Sequence, residues 1–326
     1  MHALARVVLL MLALSACAVP RAQAQSSDFP NRPITMVVPL APGGSNDIIS
    51  RLVGAKLEKR FGKPVVVENR PAGGGIPAAL SVVRGPADGY TLISASSTLL
   101  SMNITVRKSM PYDPRTDITP MALTVRTPFV LAVNPSLPIH SVDDLVKLAR
   151  EKRLTFAAPG AATIHRLMAE TFKTMFKIEA TYVPYKGSVP ALNDLMGGHV
   201  NFMFVDVPPS LGLVQAGKIR ALGVSTAARV AVLPDLRPLN EVGMPGFDMA
   251  SWHTIAMRSG GPREIVEKLA TAIRESLEEP DSVAFLARDG AIPVKSPPPD
   301  ALRRFVDSET VRWAKIIEAA GLAGSE

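Results

Sequence analysis

The chain is poor in cysteine, in aromatic residues and in clustered metal ligands. One cysteine, Cys17, stands among 326 residues. No disulfide can form within the chain, so a packed core must hold the fold. Aromatic residues make up 5% of the sequence. The histidines His140, His165, His199 and His253 share no i,i+4 spacing, and no cysteine cluster exists, so no metal site is indicated. After residue 25 no apolar run is long enough to cross a bilayer. The formal charge is only +7. The densest basic stretch, "KLEKRFGK" at 56–63, is broken by Glu58 and lies on a helix face, so it reads as solvated surface and no nucleic-acid partner is expected.

Enzyme signatures are missing too. A nucleophile elbow needs G-x-S-x-G, and "GGSND" at 43–47 fails at Asp47. "GLVQAGKI" at 212–219 lacks the hydroxyl after Lys218 that a P-loop requires, and a strand follows it. "GGGIPA" contains Gly73, Gly75 and Ala78 at dinucleotide spacing, but three residues separate it from the strand and Pro77 sits inside it. The expectation is a protein with no cofactor and no catalysis.

What is present begins with an export signal. Residues 1–24 carry Arg6, then "VVLLMLALSACAV", too short to span a membrane, then "AQA" at 22–24 as a cleavage site. "LSAC" at 14–17 offers the alternative of lipidation at Cys17. Either reading sends the protein out of the cytoplasm, and periplasmic placement is expected. Cleavage after Ala24 removes Arg6 and Arg21 and leaves a charge of about +5.

Beyond the signal, β-branched runs alternate with helical periodicity. "ITMVVPL", "PVVVEN", "YTLISAS", "FVLAVN", "LTFAAP", "ATYVPYKG", "VNFMFVD" and "IRALGVST" read as strands. Helices are expected over 45–60, 76–84 and 141–150, the last opened by Ser141 with Asp144 three residues on. The βαβαβ order predicts an α/β protein with mainly parallel sheets. It occurs in two blocks, which predicts domain 1 from 26–127 plus 250–326 and domain 2 from 128–249. The two tail helices should pack on the first block. The two crossings would form a hinge around a cleft.

Two loops share one grammar of strand, Pro-Gly turn, hydroxyl and helix. In "LAPGGSND" the candidates are Leu40, Ala41, Pro42, Gly43, Gly44 and Ser45. Glycines let the backbone approach a ligand, and free N–H groups of the first helical turn favour an anion. Asp47 is a helix-dipole partner or loop brace, or alternatively a contact for a ligand amine. In "FAAPGAATIHRLMAE" the candidates are Pro159, Gly160, Ala161, Ala162 and Thr163. His165 reads as a packing residue, or else as a contact or base. The helix dipoles of two such loops would converge on a carboxylate. Ser96 and Ser97 end a strand as a cleft wall, and Asp206 ends another. Tyr185 and Lys186 form a polar strand end whose lysine braces the surface or touches an acidic ligand.

These segments carry a resemblance. With "GKPVVVENRPAGGG", "ADGYTL", "YDPRTDITPMAL", "VPYKGSVPALNDLMGGHVNFMF" and "AGKIRALGVSTAAR", they make the chain similar to the tripartite tricarboxylate transporter receptors, the Bug-type periplasmic solute receptors. The resemblance implies a type II periplasmic binding protein fold, a small carboxylated ligand gripped largely by backbone groups and bridging waters, membrane transporter components or a sensor protein as partner, and a monomer. Ala162 stands where such receptors usually have glycine, Thr163 where they have serine, and Pro77 where glycine is common. The alternatives are a sensor that presents its closed form to a signalling protein, or an α/β enzyme acting on an organic acid.

Overall fold

The structure is a computed structural model and describes residues 28–326. The signal and lipidation readings, including Cys17, lie outside the described residues. The first lobe opens with β1 (Ile34–Val38), α1 (Ser45–Phe61), β2 (Val65–Asn69), α2 (Ile76–Val83) and β3 (Thr91–Ser96). A π-helical turn, Thr98–Met102, and the short α3 (Asn103–Val106) lead to β4 (Ile118–Thr127). The second lobe holds β5 (Phe129–Val133), α4 (Val142–Glu151), β6 (Leu154–Ala158), α5 (Ile164–Phe176) and β7 (Ala180–Pro184). It continues through α6 (Ser188–Met196), β8 (Phe202–Asp206), α7 (Val207–Gln215) and β9 (Arg220–Val224). The chain then returns through β10 (Ser251–Arg258), α8 (Arg263–Glu278), α9 (Pro280–Arg288), β11 (Ile292–Pro293) and α10 (Pro299–Ala319).

The strands form two sheets, in the orders β11-β4-β10-β3-β1-β2 and β7-β6-β8-β5-β9. Both are mixed. Each contains a parallel trio of the kind that the βαβ pattern predicts: β2-β1-β3 in the first sheet and β7-β6-β8 in the second. Antiparallel strands extend each trio: β10 returns from the second lobe to pair antiparallel with β3 and β4, and β5 follows β4 after one residue and pairs antiparallel with β8 and β9. Strands β4 and β10 escape a periodicity reading. Pro120 interrupts β4, and it is tolerated because the register with β10 shifts there, between Ile255 and Ala256. In "SWHTIAMR" every residue but the last is buried. Neither alternation nor a clean apolar run therefore marks it.

Helix α1 ends as its sequence dictates. Gly62 takes a left-handed conformation and its N–H closes on the carbonyl of Glu58. Lys56 pins the helix by reaching both Glu279 and Asp281 at 2.7 and 2.6 Å, at the junction of α8 and α9. The C-terminal half of α1 is thereby anchored.

Helix α10 serves two cores. Leu302 and Val306 pack with Trp252 in the first lobe. Trp313 and Ile317 join Phe129, Phe204 and Phe247 in the second-lobe core, together with Met102 and Val106 from the first-lobe segment. Trp313 is fully buried, and truncating such a side chain costs about 3–5 kcal/mol. The lobes are thus joined by their strand crossings and also by a shared hydrophobic helix.

Candidate functional site

A cavity of about 610 Å³, counting the space at its mouth, lies between the lobes. The first lobe lines it with Pro39, Leu40 and Ala41, with Gly44, Ser45 and Asn46, and with Gly74, Gly75, Ser96, Thr98, Leu99, Ser251 and His253. The second lobe lines it with Phe129, Thr163, Ile164, His165, Ser188 and Asp206. No lysine or arginine is among these residues.

Helix starts surround the cavity. Helices α1, α2, α5, α6 and α7 begin at Gly44, Gly75, Thr163, Gly187 and Asp206, and none of these five cap residues makes a side-chain capping hydrogen bond. At α1, α2, α5 and α6 first-turn N–H groups stay available and the dipoles place partial positive charge at the cavity wall; α7 offers none, since the Val207 N–H donates to the Pro128 carbonyl and Pro208 and Pro209 carry no N–H. An anion can be held here with no formal cation.

The first loop is rigidly braced. Asp47 accepts from the Gly43 N–H and from Arg51 Nε, each at 3.0 Å, and from Asn69 Nδ2 at 3.0 Å. Asn69 Nδ2 also donates to the Leu40 carbonyl at 3.0 Å. Burial would raise the Asp47 pKa, but Arg51, the Gly43 N–H and Asn69 together hold it below the usual carboxylate value. Asp47 organises the loop from behind and is not among the residues that line the cavity. Gly43 needs its left-handed backbone, φ 83°, to make the turn.

The second loop contributes side chains. Thr163 Oγ donates to the Gly160 carbonyl at 3.0 Å. His165 Nε2 meets Asp206 Oδ2 at 2.9 Å, and Ser188 Oγ donates to the same oxygen at 2.8 Å. The His165 ring stands edge-on to Phe129, with centroids 4.9 Å apart. Burial pushes the Asp206 pKa up. The His165 charge and hydrogen bond, the Ser188 hydroxyl and His253 outweigh it and hold the group at about 2. Asp206 is a fixed anion on the floor, with Oδ2 committed to protein partners.

Eight sequence candidates line the cavity: Leu40, Ala41, Gly44, Ser45, Ser96, Thr163, His165 and Asp206. The others stand back from it. Pro42 and Gly43 form the rim, where a Cβ on Gly43 would come within 3.1 Å of Val189 in the other lobe. Ser97 is buried behind the wall and pairs with the Ser251 hydroxyl at 3.0 Å. Pro159, Gly160, Ala161 and Ala162 shape the second turn, and Ala162 faces Gly74 across the cleft. Tyr185 donates to Asp194 at 2.6 Å, away from the cavity, and burial with that bond pushes its pKa up to about 12. Lys186 does not line the cavity.

Sequence reading took Ser94 to Thr98 as a cleft wall, of which Ser96 and Thr98 line the cavity, and missed Gly74 and Gly75, Phe129, Ser188, Ser251 and His253. The "GGG" run was a usable signal. Gly75 has φ 88°, and a Cβ there would lie 3.0 Å from Pro39 and 3.1 Å from Leu99, so the third loop is glycine-rich because it packs against the floor. Ser251 and His253 carried no signal, since their strand was not legible.

The lobes touch around the mouth. A Cβ on Gly187 would sit 2.8 Å from Cβ of Ala41 in the opposite lobe, although Gly187 itself is fully extended, φ −179°. The two lobes are in contact at this point.

A family model described as tripartite tricarboxylate transporter family receptor matches residues 49–322. The chain belongs to this family of receptors. It is 33% identical to Protein BugT of Bordetella pertussis over 324 residues, covering 98% of each chain. It is 36% identical over 292 residues to a UPF0065 protein from the tcbD-tcbE intergenic region of Pseudomonas sp. (strain P51), covering 89% of this chain and 86% of that one. Among solved structures, R. palustris Rpa4515 with adipate superposes with a TM-score of 0.88 at 39% identity, covering 91% of this chain and 99% of the other. MatC from Rhodopseudomonas palustris with bound malate gives 0.84 at 29% identity, covering 89% and 100%. The periplasmic binding protein BugD gives 0.86 at 28% identity, covering 90% of this chain and 99% of that one. The fold is accordingly that of two-domain periplasmic binding proteins.

Proposed function

We propose that this chain is a periplasmic solute receptor that closes on a small carboxylate and delivers it to the membrane components of a tripartite transporter. The observation that carries this reading is the convergence of four uncapped helix N-termini, those of α1, α2, α5 and α6, on an interlobe cavity without lysine or arginine. Relatives with adipate and with malate bound support the same ligand class. The residues at 127–129 and 249–251 act as hinges. A ligand held by both lobes stabilises the closed form alone, and that form is what a membrane partner can recognise. The receptor works as a monomer and catalyses nothing.

A thermal-shift screen of the chain from residue 25, against amino acids, di- and tricarboxylates and aromatic acids, tests this. A ligand at a hundred times its Kd stabilises the folded state by about 2.7 kcal/mol, so one class of acid should give a saturable rise in Tm. No shift with any carboxylate, in protein freed of bound ligand by unfolding and refolding, would overturn it. Deleting the gene and following uptake of the acid that binds separates transport from sensing.

A further inference from the structure

The cavity wall carries donors and acceptors in different places. Its donors are the helix starts. Its acceptors gather around Asp206. Both side-chain hydrogen bonds that Asp206 accepts, from His165 and from Ser188, end on Oδ2. Oδ1 has no partner among the described residues and is left for the cavity that Asp206 lines. An ionised carboxylate only accepts, so His165 Nε2 carries the proton of their bond, and Nδ1 of the neutral ring is an acceptor. That Nδ1 is buried without a partner, and so are both ring nitrogens of His253. His253 is 3% exposed and lines the cavity from the first lobe, where its ring interacts electrostatically with Asp206 and His165. Burial, opposed by Asp206 and helped by His165, pushes its pKa down to about 4, so the ring is neutral at neutral pH and supplies one acceptor.

Buried acceptors without a partner are costly, and the group that relieves these three must donate. A carboxylate in this place is repelled by the Asp206 charge. A hydroxyl brings one donor and no charge. An ammonium group brings three donors and a positive charge.

The sheet order sets this cluster apart from the first-lobe helix start. Strand β1 leads into α1, and β3 lies between β1 and β10. His253 stands on β10, paired with Ser96 at the end of β3. Two strand spacings, roughly 10 Å, separate β1 from β10. A ligand with amine and carboxylate on one carbon does not span this distance. One with the amine at the far end of a short chain does, and Leu99 and Phe129 are apolar walls for its methylenes.

We infer that Asp206 reads an ammonium group at the far end of the ligand, so the receptor selects an ω-amino acid over the simple acid and over the diacid of the same chain length. This rests on the carboxylate-receptor reading and names Asp206, with the two histidines beside it, as the group that sets specificity. The carboxylate goes to the starts of α1 and α2, away from Asp206, and the ammonium group to the three acceptors.

The test is calorimetric titration with matched triplets: γ-aminobutyrate, butyrate and succinate; δ-aminovalerate, valerate and glutarate; ε-aminohexanoate, hexanoate and adipate. The native protein should bind the amino acid of at least one triplet about tenfold or more tighter than both companions. Asp206→Asn keeps the shape and an oxygen for His165 and Ser188, and removes the charge. It should shrink that preference about tenfold and raise the affinity for the diacid. If the asparagine variant does not fold, His253→Phe keeps a ring without nitrogens, and it should weaken the amino acid about threefold or more relative to the simple acid. A simple acid or diacid that binds as tightly as its amino acid, or a preference undiminished in the variants, overturns the inference alone. Binding of other carboxylates but of no triplet member does the same. Failure of the native protein to bind any carboxylate overturns the receptor reading and this inference with it.

Discussion

The first-lobe loop, residues 40–47, and the second-lobe loop, residues 159–165, are written alike and held differently. The first is fixed from behind by the ionised Asp47, which gathers the Gly43 N–H, Arg51 and Asn69. It lines the cavity with Leu40, Ala41, Gly44, Ser45 and Asn46. The second is fixed by one hydroxyl, Thr163 to the Gly160 carbonyl, and presents Thr163 and His165 side chains. The same strand-turn-helix grammar therefore makes a rigid backbone cradle in one lobe and a side-chain surface in the other. Helix starts can hold an anion from either side, and the second loop adds the buried His165–Asp206 pair.

The largest test of that contrast is a pair of valines. Gly43→Val puts a β-branched residue at φ 83° and drives it into Val189 across the cleft. Backbone strain and overpacking add up to about 3 kcal/mol or more, a loss of a hundredfold or more in ligand affinity. Gly160→Val, at φ 98°, meets only Thr163 of its own loop at 3.4 Å, and about tenfold is expected. Calorimetric affinities that fall equally in both variants would mean the loops are equivalent.

Titration sharpens the contrast. Between pH 6.5 and 4 the first loop is inert, because Asp47 stays ionised there. His253, which faces Asp206 and His165, falls from 6.5 unfolded to about 4 folded. Over that window the unfolded chain binds a proton that the folded one refuses, so stability drops as pH falls, by up to about 3 kcal/mol in total. Asp206, with its folded pKa at about 2, contributes stability above its unfolded value of about 3.9, and this is lost only as pH falls on through 2. Urea melts across this range should show a slope from pH 6.5 to 4 that His253→Leu reduces by about one proton. An unchanged slope would place the buried charge balance elsewhere.

Gly187→Ala asks whether closure itself supports affinity. The backbone there is extended and accepts any residue. The one penalty is the 2.8 Å approach to Ala41 of the opposite lobe. Folding stability without ligand should be unchanged, and affinity should fall about tenfold for a cost of about 1–3 kcal/mol borne only by the closed state. Wild-type affinity in this variant would mean that the lobes need not meet at that point.

How legible this was depends on where the physics is local. Both strand-to-helix loops could be read because Pro, Gly and a hydroxyl after a β-branched run specify a turn by themselves. The Asp206 position could be read as a strand end. The partnership of Asp206 with His165 and Ser188 could not, since those residues lie 41 and 18 positions away and meet only through sheet order. His253 was hidden twice, by a strand without periodicity and by an antiparallel pairing after a long excursion through the second lobe. The double duty of α10 was also illegible. Its apolar stripe shows a buried face, and which core each turn of it enters is decided by the lobes.

The smallest expected effect bears most directly on the second loop. Thr163→Val keeps the side-chain shape and removes the hydrogen bond to the Gly160 carbonyl, while the backbone N–H groups that start α5 remain. If the hydroxyl only braces the turn, the loss is about 1 kcal/mol, a few-fold in affinity, and it should be alike for every acid that binds. Thr163→Ser should restore it. If the hydroxyl instead touches the ligand, the loss should vary from acid to acid and reach tenfold for the best of them. A uniform few-fold loss keeps the contrast in a narrower form, with His165 as the reading side chain of the second loop and Thr163 as its counterpart to Asp47.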